Sequence, residues 1–162
     1  MSRLNWPQIA PEGAKALYGI HHYITQKTDL PEELIHLVFL RVSQINGCAH
    51  CIDMHSRDLL KTMSSERVML VPVWDEVAHL FSDQQRAALA WAEEVTLVSE
   101  THASDEAYAA AAAAFAPKDL VDLTITIAAM NAFNRLGAPF RLPVAAKAQS
   151  AIGREPNLQP DN

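Results

Sequence analysis

The sequence predicts an all-α fold, a compact bundle of six to eight helices, on three observations. No segment keeps the alternating apolar–polar pattern of a half-buried strand. Apolar residues instead recur at helical spacing, and helix-start signals stand at Pro11, Asp29, Ser82, Ser104 and Pro117. Nothing repeats at a fixed period, so no solenoid or array is indicated.

In chain order, Ser2 to Ala10 reads as an arm holding Trp6-Pro7, and Pro11-Glu12 opens a helix through Leu17, Ile20 and Ile24 to about Lys27. His21 and His22 within it point ~100° apart, which keeps two adjacent imidazoles off one ion. Asp29-Leu30-Pro31-Glu32-Glu33 starts the next helix, with Asp29 as the expected cap and two acids on the positive end of the dipole. That helix runs through Leu34, Leu37, Val38, Phe39, Leu40 and Val42 to Asn46-Gly47, and it is apolar around most of its circumference, hence buried. Glu33, His36 and Ser43 form a polar line along it, bordered by Gln44; this line either meets buried partners or faces solvent or another subunit.

A helix from Cys48 to about Met63 follows, packing through Ile52, Leu59 and Leu60. Ser64 or Ser65 caps a short helix that Pro72 breaks, and Trp74 to Phe81 adds another turn or two. Ser82 and Gln85 make a capping box that opens a helix from Gln84 to about Ser99. Ser104 caps a helix over Ala109–Ala114, where the alanines supply helix propensity and close approach rather than chemistry. Pro117-Lys118-Asp119 begins the last strong helix, Leu120 to about Leu136. Past Gly137, prolines 139, 143, 156 and 160 punctuate a tail in which Val144 to Ile152 is one further expected helix.

Both cysteines fall in one stretch, Asn46-Gly47-Cys48-Ala49-His50-Cys51-Ile52-Asp53-Met54-His55. A C-x-x-C pair without a secretory leader points to redox or metal chemistry rather than a structural staple. At ~100° per residue, Cys51, His55 and Asp58 share a narrow arc of the helix, with Cys48 close to it. Helical side chains lean toward the N-terminus, which aims the His55 ring back over Cys51. The free N–H groups of the first turn and an imidazole able to take the proton both favour a thiolate. One cysteine is then a nucleophile and the other closes a disulfide. Asp58 either orients the His55 ring, as a triad carboxylate does, or is a solvated surface acid. Glu93 and Glu94 offer either a buried acid or solvated charge.

The 162 residues are one domain's worth of chain, and 49% apolar with 20% charged residues is ordinary for a soluble globular protein. A net charge of −6 without a basic cluster argues against nucleic acid as a partner. Residues 1–13 are too polar for a signal peptide, and no uncharged apolar run approaches the ~20 residues of a membrane span, so the expected location is cytoplasmic, without a membrane partner.

The run from Leu40 through Cys48-Ala49-His50-Cys51 to His55 resembles the core motif of the alkylhydroperoxidase D-like proteins of the carboxymuconolactone decarboxylase superfamily. Ala87–Glu93 and Asn131–Leu136 resemble later blocks of that family, and the likeness spans roughly Pro31 to Arg141. It implies a single alkylhydroperoxidase D-like helical domain over 1–162 with its core at about 31–141. By the resemblance, Cys51 is the peroxidatic cysteine, Cys48 the resolving one, His55 the base of a proton relay and His50 an auxiliary histidine. The family also implies a homo-trimer or homo-hexamer with sites near subunit contacts, recycled by an external dithiol reductant or adaptor protein. One departure stands out: twelve residues before the first cysteine, where the family carries a glutamate, this chain has His36. Either His36 relays protons itself, or Glu33 or Glu93 takes that role.

The leading expectation is a thiol-dependent hydroperoxide reductase, an antioxidant peroxidase working without a bound cofactor or metal. The alternatives are a structural zinc site built from Cys48, Cys51, His55 and either His36 or His50, a redox-sensing module, and a lactone decarboxylase. By the same resemblance, the decarboxylase branch does without this cysteine pair, so the pair argues against it.

Overall fold

The computed structural model describes residues 2–145. Among them there is no strand, and nine α-helices follow one another: α1 Trp6–Ile9, α2 Pro11–Lys27, α3 Glu32–Ile45, α4 Ala49–Leu59, α5 Ser65–Leu70, α6 Asp83–Thr96, α7 Val98–Thr101, α8 Asp105–Ala114 and α9 Pro117–Gly137. Two single 3₁₀ turns, Val71–Val73 and Ala78–Leu80, fill the connection from α5 to α6. From residue 146 onward the expected helix at Val144–Ile152, and the Pro-rich tail after it, lie outside the described residues.

Helix α3 is the axis of the bundle and packs against α4, α6 and α9. Its Leu37, Val38, Phe39, Leu40 and Val42 are completely buried, as an all-round apolar helix requires. One side of α3 meets Ala88 and Ala92 of α6 and Leu123, Ile127 and Met130 of α9. The other side meets Leu59, Met63, Val71, Phe81 and Leu89. Burying a side chain of this size contributes about 1.5–3 kcal/mol, so α3 is held far more by packing than by its own propensity.

The serine caps form as the sequence predicts: Ser64, Ser82 and Ser104 each accept the backbone N–H three residues on, and Gln85 closes the box by accepting the Ser82 N–H. Asp29 does not cap α3. Pro31 holds that position with no side-chain cap, and Asp29 faces Lys118 at 3.8 Å instead. Two helices end early: α4 stops at Leu59, with Met63 N–H closing onto the Leu59 carbonyl at 2.8 Å, and α6 stops at Thr96 before the separate turn of α7.

The N-terminal residues are more than an arm. Trp6 is buried and stacks on Tyr18 at 6.0 Å between ring centroids. Arg3 N–H donates to the Phe140 carbonyl at 2.8 Å, tying α1 down beside the end of α9.

Candidate active site

The site is made where α3 turns into α4. Gly47 N–H donates to the Gln44 carbonyl at 3.2 Å and Cys48 N–H to the Ser43 carbonyl at 3.0 Å, the paired bonds of a Schellman helix end. That end needs a left-handed residue, and Gly47 supplies it at φ +66° without a Cβ penalty. The turn delivers Cys48 to the N-cap of α4 and Cys51 to its first turn.

The two sulfurs lie 2.6 Å apart and both cysteines are buried. Helix α9 reaches them at Gly137, where a Cβ would sit 2.8 Å from the Cys48 sulfur and 3.5 Å from that of Cys51. Buried Asn134, one turn earlier, donates to Ser43 Oγ at 3.1 Å and accepts from Asn46 Nδ2 at 3.0 Å. The Cys48 thiol is drawn down to about 6, chiefly because Cys51 donates its S–H to it; burial opposes this, while the Cys51 amide, the His50 charge and Asn134 assist. The same hydrogen bond, with burial, pushes the Cys51 thiol up. The pair therefore favours one thiolate at the helix tip, with Cys48 the more acidic of the two.

His55, one turn beyond Cys51, is 1% exposed, with its ring 4.8 Å from that of Phe39. Burial, and then the field of His36, lower its pKa to about 3, so at neutral pH it is an uncharged base. Its Nδ1 lies 3.2 Å from His36 Nδ1, and its Nε2 has no partner among the described residues. Asp58 Oδ2 stands 3.7 Å from His36 Nδ1 and 4.0 Å from His55 Nδ1. Lys61 donates to the other oxygen of that carboxylate at 2.7 Å.

A cavity of about 250 Å³ opens onto Cys51 and His55. Its walls are Trp6, Tyr18, His21, His50, Met54, Met130, Phe133 and Leu142. Cys48 is not among the lining residues; it lies behind Cys51. Trp6 Nε1 is buried without a partner among the described residues, so two such polar atoms belong to residues of one mostly apolar cavity.

The sequence candidates therefore separate. Cys48, Cys51, His55, His36 and His50 come together, His50 lying against the Pro143 carbonyl at the cavity wall. The carboxylates proposed for the relay do not join them. Glu93 accepts from Arg41 Nε at 2.8 Å and Trp74 Nε1 at 2.7 Å, and Glu33 accepts from Gln85 at 2.9 Å. Asp58 stands nearest the histidines instead, and of the polar line on α3, Ser43 is fully buried against Asn134. Nor do the sulfurs join a cation-binding group: the described cluster of close potential ligand atoms is His36, His55 and Asp58.

The carboxymuconolactone decarboxylase family model matches residues 11–94, which cover α2 through most of α6 and so contain the whole Cys–His motif. The chain belongs to this family. Among its relatives, the uncharacterized protein YdfG of Bacillus subtilis is 33% identical over 146 residues, 90% of this chain and 98% of YdfG. A crystal structure from Agrobacterium tumefaciens, of a protein of unknown function provisionally designated the antioxidant defence protein AhpD, superposes with a TM-score of 0.85 at 35% identity, covering 91% of this chain and 100% of that one. The AhpD-core, peroxidase-related protein of Ralstonia eutropha JMP134 shares the fold at a TM-score of 0.74 and 18% identity, over 85% and 73% of the two chains. This is an AhpD-like member of the family, and the expected all-α AhpD-like fold stands.

Three contributors escaped the sequence reading: Asn134, Gly137 and Trp6. Asn134 left a signal, since an amide on a buried helix needs a partner, and the vacant hydrogen-bonding positions nearest it are those of the α3 end. Gly137 and Trp6 left none, because their roles depend on where distant segments meet.

Proposed function

We propose that this chain is a thiol-dependent hydroperoxide reductase using Cys51 and Cys48 as its redox pair. The observation that carries the reading is the apolar cavity that exposes Cys51 beside an uncharged, buried His55, with Cys48 immediately behind. Cys51 passes its proton to His55, and its thiolate attacks the terminal oxygen of the hydroperoxide. The O–O bond breaks, Cys51 becomes a sulfenic acid, and the departing alkoxide takes a proton from His55 to leave as alcohol. The Cys48 thiolate then attacks the Cys51 sulfur, forming the disulfide, and the displaced hydroxide leaves as water with a proton delivered through His55. An external dithiol or adaptor protein reduces it, returning the two protons and two electrons.

Protons re-enter through His36, which stands where the family carries glutamate, with Asp58 and solvent beyond it. Trp6 Nε1 and His55 Nε2 offer polar contacts to the oxygens of a substrate whose body is apolar. The working protein is a homo-oligomer of three or six chains.

The test is anaerobically reduced protein mixed with an organic hydroperoxide while free thiols are counted. Loss of both thiols, with one alcohol formed per chain, supports the reading. Thiols consumed no faster than those of free cysteine end it.

A further inference from the structure

The groups behind His55 have a geometry that direct hydrogen bonding alone does not explain. Asp58 Oδ2 lies 3.7 and 4.0 Å from the Nδ1 atoms of His36 and His55, too far to accept a hydrogen bond from either ring. The two Nδ1 atoms nonetheless face each other at 3.2 Å. Separations of 3.2, 3.7 and 4.0 Å are those of ligand atoms around one ion: the nearest point equidistant from all three lies in their plane, about 2.1 Å from each, the bond length of zinc to imidazole nitrogen or carboxylate oxygen. We propose that His36 Nδ1, His55 Nδ1 and Asp58 Oδ2 form a binding site for a divalent transition ion of the zinc class, with water filling its open coordination positions.

The surroundings suit that assignment. Lys61 takes the other oxygen of Asp58, which leaves Oδ2 for the ion. Glu32 stands 3.7 Å from His36 Nε2, on the side where the outer nitrogen of a metal-bound histidine finds a carboxylate. The site has an entry path, since the Asp58 side chain is 26% exposed and that of His36 15%, against 2% for His55. Two imidazoles and one carboxylate suit zinc better than magnesium or calcium, which favour all-oxygen shells. The set is distinct from any thiolate site, because neither sulfur belongs to it.

The ion would occupy the Nδ1 lone pair of His55 and leave the ring proton on Nε2. His55 could then no longer accept a proton from Cys51, so metal binding and thiol activation exclude each other; this consequence rests on the peroxidase reading, whereas the site itself does not.

The experiment uses reduced, chelator-stripped full chain titrated with Zn²⁺ against a chromophoric competitor, and with Co²⁺ followed by visible absorption. One ion per chain is expected, with cobalt d–d bands and no sulfur-to-cobalt charge-transfer band. Binding should persist in the Cys48→Ser/Cys51→Ser double variant and weaken about tenfold or more in Asp58→Asn and in His36→Gln. Far-ultraviolet circular dichroism confirms that the variants fold, which their partly exposed positions favour. Absence of binding in the wild type overturns the proposal, as does binding lost with the cysteines, or binding unchanged in both Asp58→Asn and His36→Gln. Metal binding is scored without a hydroperoxide, so its failure is separate from failure of the peroxidase; added Zn²⁺ should then slow thiol consumption in proportion to occupancy, with recovery on chelation.

Discussion

Cys51 lines the cavity, whereas Cys48, its sulfur 2.6 Å away, is wholly buried and carries the lowered pKa. The charge and the access are thus on different sulfurs. Passing the Cys51 proton to His55 raises the anion that substrate can reach, while the Cys48 thiolate stays in reserve for disulfide closure. This arrangement fixes an expected titration. Thiolate absorbance should rise in a first step with a midpoint near 6, and the second thiol should titrate above the ordinary cysteine range. In Cys48→Ser the step near 6 should vanish, and the Cys51 thiol, freed of its chief perturbation, should titrate lower than in the pair. A step near 6 that survives Cys48→Ser would move the resting charge to Cys51.

Storage of charge and attack on substrate are separable, so a second experiment asks which sulfur is oxidised. After one equivalent of organic hydroperoxide, a sulfenic-acid trap should label Cys48→Ser and leave Cys51→Ser nearly unlabelled, because Cys51 faces the cavity. Label accumulating in Cys51→Ser alone would reverse the two roles.

The fold was legible where local signals decide: the capping box at Ser82, the serine caps at Ser64 and Ser104, and the all-apolar α3 are each written in neighbouring residues. Asp29 misled because Pro31, with its fixed φ, sets the entry to α3 and removes the need for an acid two residues earlier. Within the site, Cys48, Cys51, His55 and Asp58 belong to one helix and its N-cap, so spacing alone grouped them. Glu93 was drawn in because an acid on a helix carries no mark of its partner; here Arg41 and Trp74 hold it. The roles of Asn134, Gly137 and Trp6 arise from contacts across more than eighty residues of chain, or from α1 folding over the cavity, and periodicity is blind to both.

Burial of His55 has a consequence for stability against pH. Its pKa falls from 6.5 in the unfolded chain to about 3 in the folded one, so between those values the unfolded state binds the extra proton. Stability conferred by this group is complete above 6.5 and is lost as pH falls toward 3, with a slope of up to about 1.4 kcal/mol per pH unit. Urea unfolding at pH 7 and pH 4.5 should show a larger acid loss for the wild type than for His55→Leu. Equal losses in the two proteins would mean that His55 is not held neutral by the fold.

Gly137 is where α9 touches the cysteines, and alanine there tests how tightly they are held. Alanine gains up to about 1 kcal/mol of helix propensity over glycine, but its Cβ would stand 2.8 Å from the Cys48 sulfur. Cys48 is pinned at a buried N-cap against its partner, so overpacking of about 1–3 kcal/mol outweighs the gain. Gly137→Ala should lower the unfolding free energy and slow disulfide closure. Gly19→Ala, with nothing within 4 Å of its new Cβ, is the matched control and should be neutral or stabilising.

Trp6 gives the sharpest contrast between holding the fold and holding a ligand. Its Nε1 is buried with no acceptor, and an unpaired buried donor costs about 1–3 kcal/mol of stability. Trp6→Phe keeps an aromatic ring against Tyr18 and removes the unpaired donor, so thermal stability should stay level or rise despite the smaller ring. If the indole N–H is reserved for an oxygen of the substrate, the same variant should raise KM for an organic hydroperoxide about tenfold, the loss of one hydrogen bond, while thiol pKa values stay unchanged. Lower stability with an unchanged KM would instead make Trp6 a packing residue that merely roofs the cavity.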